Sequence, residues 1–158
     1  MDIILGRPEH RDPLIDMICR SHLGDIYFES DRSYLEDVIG KALDEENMLL
    51  AIEEDHLQGF LWFDLKGAFR IHAYVHLQLV DSDHAGKGVG RALMEAFEEA
   101  ARAISEKAFL AVAEFNHSAL TFYEHLGYKN VGVIPGLYRD GVGEHLLMKV
   151  FRKSKRMQ

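Results

Sequence analysis

The sequence predicts an α/β (α+β) protein, with a mixed, mostly antiparallel central sheet of about seven strands flanked by about four helices. Three observations carry this. Apolar segments follow the order strand, two helices, three strands, helix, strand, helix, two strands. The breaks between the three middle strands are short, as in an antiparallel meander. The strand–helix–strand run over residues 69–113 then requires a parallel, right-handed crossover, whose strand ends are where ligands of such sheets tend to bind.

Each element has its own signal. Residues 3–5 make a short apolar strand. Asp12-Pro13 reads as a helix start, with Asp as N-cap and Pro at the first helical position. Leu14, Ile15, Ile18, Cys19 and His22 follow at helical spacing, and Gly24 ends that helix. Ser33 and Glu36 have the spacing of a capping box before a second amphipathic helix through Leu35, Val38, Ile39, Ala42 and Leu43. Residues 47–52, 57–65 and 69–80 read as strands, broken at Glu53-Glu54-Asp55 and at Lys66-Gly67. The clearest helix has Val89, Leu93, Phe97, Ala100, Ala101 and Ile104 on one face, with Glu95, Glu98, Glu99 and Arg102 opposite. Residues 109–113 form a buried strand, 118–126 a helix stopped by Gly127, and 128–134 and 145–151 two strands around a turn at Asp140-Gly141. The chain reads as one domain over 1–158, with 152–158 a basic, solvated tail.

The 158 residues are 47% apolar, enough for a sizeable core. The formal net charge is -8, from 18 Lys+Arg against 26 Asp+Glu. That balance argues against nucleic-acid binding, which rests on phosphate neutralisation, and leans toward cationic ligands. Cys19 has no partner for an internal disulfide and reads as a core thiol. No apolar run suits a leader or a membrane span, so a cytoplasmic protein without membrane partners is expected.

The segment His84-Ala85-Gly86-Lys87-Gly88-Val89-Gly90-Arg91 lies between a strand and a helix. Glycines permit positive φ and close approach of a ligand. Bare amides at the helix start, with the helix dipole behind them, favour a phosphate or pyrophosphate. The string fits neither a Walker loop nor a dinucleotide fingerprint.

Two motifs now resemble the GNAT (Gcn5-related N-acetyltransferase) superfamily. Ala85-Gly86-Lys87-Gly88-Val89-Gly90 is similar to its Arg/Gln-x-x-Gly-x-Gly/Ala loop, with Ala85 replacing the usual Arg or Gln. The run from Asn116 through Ala119, Phe122 and Tyr123 to Gly127-Tyr128 matches a second motif at every marked position. The resemblance implies an acetyl-CoA-dependent N-acetyltransferase with the cosubstrate in a splay between two central parallel strands. It implies that Gln78, Leu79 and Val80 pair with pantetheine through their backbone. Gly86, Lys87, Gly88, Val89, Gly90 and Arg91 would hold the pyrophosphate, with Lys87 or Arg91 supplying the charge that Ala85 lacks. Asn116 would lie beside the pantetheine arm.

The implied reaction is direct attack of an amine on the thioester, which needs a base for the ammonium and an acid for the leaving thiolate. By spacing alone Tyr123 is a core aromatic beside Phe122; the motif makes it the acid. The glutamate that serves as base in ribosomal-protein N-terminal acetyltransferases is replaced here by Ala111. His76 aligns instead with a strand histidine of arylalkylamine N-acetyltransferases, and Tyr74 replaces a second one. His72, Tyr74, His76 and Gln78 share one strand face. His76 is thus the candidate base, or else a hydrogen-bonded sheet histidine, with Glu114 and Glu29 as alternatives. The histidine spacing does not point to a metal.

The acceptor site is expected between the loop at residues 24–31, with Asp25, Tyr27, Phe28, Glu29 and Asp31, and the final hairpin with Tyr138 and Arg139. Trp62 reads as core. The acceptor is a small-molecule amine first, a peptide or protein amine second. A non-catalytic acyl-CoA-binding module is the alternative from another class, and a homodimer is left open.

Overall fold

In the computed structural model, which describes residues 1–29 and 31–151, seven strands and five helices form from these segments. The strands are β1 (Asp2–Leu5), β2 (Met48–Glu53), β3 (His56–Ala68), β4 (His72–Val80), β5 (Lys107–Ala113), β6 (Lys129–Arg139) and β7 (Val142–Val150). The helices are α1 (Arg11–Arg20), α2 (His22–Phe28), α3 (Arg32–Asp44), α4 (Val89–Arg102) and α5 (His117–His125). The sheet order is β1-β2-β3-β4-β5-β7-β6, mixed as expected. The basic tail expected at 152–158 lies outside the described residues. The chain divides into two compact units, Met1–Phe63 with Leu77–Phe97, and Asp64–His76 with Glu98 onward.

In the first unit β1, β2 and the first part of β3 pair antiparallel. Leu14, Ile15 and Ile18 of α1 and Leu35, Ile39 and Leu43 of α3 bury themselves against Met48, Leu50 and Phe60. Cys19 and Trp62 pack on this core half-buried, as their apolar neighbours suggested.

Three local readings change here. Asp12 is not the cap of α1. A single 3₁₀ turn, Pro8–His10, feeds straight into the helix, so Asp12 and Pro13 fall inside its first turn. Gly24 does not end α1 either. Ser21 breaks the helix, and its hydroxyl donates to the Ile18 carbonyl at 2.7 Å and accepts from the Gly24 amide at 3.0 Å. A new helix, α2, then runs through Gly24, where a Cβ would stand 2.0 Å from the Ile18 oxygen. The glycine is there for close approach, and most of the segment read as a loop is helical. The cap of α3 is Asp31, accepting from the Tyr34 amide at 3.1 Å, in place of the Ser33 capping box.

In the second unit β4 and β5 are parallel, with Ala73↔Ala108, Tyr74↔Phe109 and Val75↔Leu110 in register. β7 runs antiparallel to β5, and β6 pairs with β7 at the sheet edge. The β3–β4 reversal is not at Lys66-Gly67. Gly67 lies within the strand, at a point where a Cβ would press on Asp64 and Tyr74 at 2.9 and 3.1 Å. The turn falls at Phe69-Arg70, with φ of 56° and 64°. Both residues occupy the left-handed region that a tight hairpin of this hand demands.

Helix α5 is capped by Asn116, whose Oδ1 accepts from the Ala119 amide at 3.3 Å, and it ends at Gly127 with φ of 96°, as its position predicted. On α4 the solvent face expected for Glu98 is corrected: Glu98 is buried, accepting from the Tyr128 hydroxyl at 3.0 Å and from Lys149 Nζ at 2.7 Å. Ala100 and Ile104 are exposed instead. Pairing with a lysine and a phenol makes a carboxylate tolerable inside, which periodicity cannot register.

Candidate active site

The first unit brings Gln78, Leu79 and Val80 of β4 together with the glycine loop. Gln78 Nε2 donates to the Gly90 carbonyl at 2.8 Å, tying the strand to the start of α4. Val89 is 2% exposed and anchors the loop in the core. Gly59 on β3, which the motifs did not single out, makes room for both: a Cβ there would lie 2.8 Å from the Leu79 oxygen and 3.1 Å from Val89 Cγ1.

Gly86 and Gly88 have φ of 75° and 83°, and the space where a Cβ would stand is open at each. A side-chain residue would be strained there, and the openness faces what approaches the loop. Among the described residues, the N–H groups of 86–91 find no hydrogen-bond acceptor. The Gly88 carbonyl instead receives the Ala92 amide at 3.0 Å, which starts the helix. A row of outward donors at a helix N-terminus is suited to an anion such as a pyrophosphate. Lys87 and Arg91 are exposed beside it, Arg91 pairing only loosely with Glu95 at 3.9 Å.

The second unit holds the proton-transfer candidates. Tyr123 on α5 is 8% exposed, its ring set edge to face against Phe122 at 5.0 Å and Tyr128 at 6.0 Å. Burial pushes its pKa above the ordinary tyrosine value, so the hydroxyl keeps its proton. The protonated phenol is a hydrogen-bond donor.

His76 lies on β4 with its ring 4.9 Å from that of Tyr74, edge to face. Its partial withdrawal from water holds its pKa below the ordinary histidine value, and the Asp64 carboxylate opposes part of that shift. It is therefore neutral at pH 7 and able to accept a proton. His72, on the same face, packs against Phe109 with its Nδ1 buried and unpartnered.

The remaining candidates separate. Asn116 spends its side-chain oxygen on the α5 cap. Glu29 is the left-handed C-cap residue of α2 in the first unit. Glu114 is exposed at the end of β5, its carboxylate against Gly143. Glu144 was missed: it is 3% exposed on β7. The signal was available, since Glu144, Leu146 and Met148 alternate on one strand face. Tyr138 donates to or accepts from the Tyr74 hydroxyl at 2.8 Å.

Comparison with known proteins agrees with this geometry. The chain superposes on Ard1 from Thermoplasma volcanium with a TM-score of 0.80 at 21% identity, covering 96% of this chain and 98% of that one. For an aminoglycoside 6'-N-acetyltransferase complexed with coenzyme A the values are 0.75 and 19%, covering 98% and 99%. For the ribosomal-protein-alanine N-acetyltransferase from Brucella melitensis they are 0.78 and 15%, covering 96% and 100%. At such identities these likenesses establish the fold. No protein of curated function matches significantly. The model of the acetyltransferase (GNAT) family matches residues 14–128, most of the chain, and the protein accordingly belongs to this family of acetyl-CoA-dependent acetyltransferases.

Proposed function

We propose that the protein acetylates a primary amine of a small molecule by direct attack on the acetyl-CoA thioester, within one catalytic domain. The observation that carries this reading is the glycine loop, whose free amides at the start of α4 suit the cosubstrate's pyrophosphate. The backbone of Gln78, Leu79 and Val80 pairs with pantetheine. The acceptor ammonium loses a proton to His76, directly or through water. The neutral nitrogen attacks the carbonyl carbon, a C–N bond forms, and the C–S bond breaks. Tyr123 gives its proton to the departing thiolate.

A small acceptor is favoured over a peptide by the final hairpin. Tyr138 bonds the Tyr74 hydroxyl, so the hairpin is tied down over the second unit's sheet. A groove for an extended chain would need that strap open. The solved relatives act on both classes by their names, an aminoglycoside in one case and a ribosomal protein in another.

The test pairs two variants in a thiol-release assay with an amine panel. Tyr123→Phe is expected to lower kcat by about 10²-fold with little change in KM. Gly88→Glu is expected to abolish calorimetric binding of coenzyme A while circular dichroism stays native. Full turnover in the first, or unchanged affinity in the second, refutes the corresponding role.

A further inference from the structure

Three segments of the second unit meet where β4 and β5 begin. The Ala73 amide donates to Ser105 Oγ at 3.1 Å, joining the β3–β4 hairpin to the connection between α4 and β5. The Phe151 amide donates to the Glu106 carbonyl at 2.8 Å, and Val150 pairs with Lys107, so the end of β7 lies there too. The outside of this sheet end is apolar. Phe69 is 72% exposed, Ile71 63%, Ile104 51% and Val150 49%. A single apolar side chain at a surface is ordinary, but several gathered at one sheet end mark a contact surface.

The hairpin tip is built at a conformational cost. Phe69 and Arg70 both hold left-handed backbone. A turn of that kind forms most readily from Asn and Gly, and bulky residues are strained in it. The strained tip presents a phenyl ring, a guanidinium and a branched aliphatic chain in succession, at Phe69, Arg70 and Ile71. The phenyl ring keeps one edge-to-face contact, with Phe109 at 5.6 Å, and leaves most of its surface in water.

Cations accompany these apolar side chains. Arg70 and Arg102 are exposed, Arg102 with its guanidinium 5.2 Å above the Phe151 ring, and Lys107 starts β5. Glu106 is an acid among them. The sequence runs on from Phe151 as Arg152-Lys153-Ser154-Lys155-Arg156, a basic run in a chain whose formal net charge is -8. Cations alone would suit an acidic protein, and apolar side chains alone a hydrophobic one. Interleaved, they fit a surface that is negative outside and hydrocarbon just beneath, which is an anionic lipid leaflet. There the phenyl and aliphatic groups enter the acyl boundary while the cations stay at the headgroup phosphates. Among the described residues no helix is long and apolar enough to cross a membrane, so such contact is peripheral. The sequence-based expectation of no membrane partner came from the lack of a spanning run, which peripheral contact does not require.

We propose that the sheet end carrying Phe69, Ile71 and Ile104 docks on an anionic lipid surface, with Arg70, Lys107 and the basic run after Phe151 at the headgroups. The experiment is co-sedimentation of the whole chain with vesicles of phosphatidylcholine alone and of phosphatidylcholine mixed equally with phosphatidylglycerol. The protein is expected to sediment with the mixed vesicles and not with the neutral ones, and to be released as salt is raised. Phe69→Ser with Ile71→Ser is expected to lower the vesicle partition coefficient by about tenfold or more, because two apolar anchors are lost. Arg70→Glu is expected to weaken it in the same direction. Native circular dichroism and unchanged calorimetric affinity for coenzyme A report that the variants fold. Absence of wild-type binding to the mixed vesicles overturns the proposal, as does equal binding to the neutral ones. Binding that both sets of substitutions leave intact assigns it to the basic run alone and overturns docking by this face. A dimer in sedimentation equilibrium that the double variant dissociates, with no vesicle binding, overturns it in favour of a second copy of the chain.

Discussion

His76, the base proposed above, concentrates the proposed chemistry into one titration. Burial of part of its ring lowers its pKa below the ordinary 6.5, and Asp64 pulls the other way. The neutral base is thus kept to a lower pH than a free histidine would allow. The same shift has a stability consequence. Its folded pKa lies below its unfolded one, so the unfolded chain takes up the proton first as pH falls. His76 therefore contributes stability that is full above about pH 6.5 and is lost as pH drops toward the folded value. For catalysis, His76→Ala is expected to depress kcat/KM most on the acid side, where the acceptor is hardest to deprotonate. The wild-type acid limb should lie below pH 6.5 and move upward in the variant. An unaltered pH–rate profile would remove His76 from the mechanism.

Among the elements, α2 is the clearest case of backbone contact dictating sequence. Ser21 stops α1, satisfies the Gly24 amide and lets the chain start again at once. The new helix passes the end of the old one so closely that a methyl group at Gly24 would stand 2.0 Å from a carbonyl oxygen. Gly24→Ala is expected to cost about 2–3 kcal/mol, because the two helix ends must move apart. Chemical denaturation of the variant measures this directly, and an unchanged midpoint would show that the junction yields freely. The β3–β4 turn makes a different bargain. Phe69 and Arg70 accept left-handed backbone, and the Phe69 ring recovers an edge-to-face contact with Phe109 at 5.6 Å.

For the whole molecule, stability hangs on how the second unit treats the buried carboxylate of Glu98. Glu98 of α4 receives the Tyr128 hydroxyl and Lys149 Nζ, with Arg102 at 3.4 Å. Lys149 also lies 5.7 Å from the Tyr128 ring centroid, and its stem passes 3.4 Å from the space beside Gly127. The network joins α4, β7 and the residues just after α5. Glu98→Ala leaves a half-buried ammonium and a buried phenol without an acceptor, at a cost of about 1–3 kcal/mol. Replacing all three partners by apolar residues of like volume is expected to recover most of that loss. Thermal and denaturant unfolding of the two variants distinguish this network from ordinary packing, which would order them the other way.

Much of the fold was legible in local terms. Alternating and helical apolar spacing named the seven strands and four of the helices, because burying one face is a local demand on pattern. The glycine loop was legible for the same reason: positive φ at Gly86 and Gly88 and bare helix amides depend on neighbours in sequence alone. What periodicity misread were contacts between residues far apart in the chain. Glu98 belongs inside only because Lys149 and Tyr128 meet it there. Gly24 belongs within a helix only because Ile18 lies against it. Local pattern decides which elements form, whereas charge burial, close backbone approach and the shape of a binding face are settled by which strands and helices become neighbours.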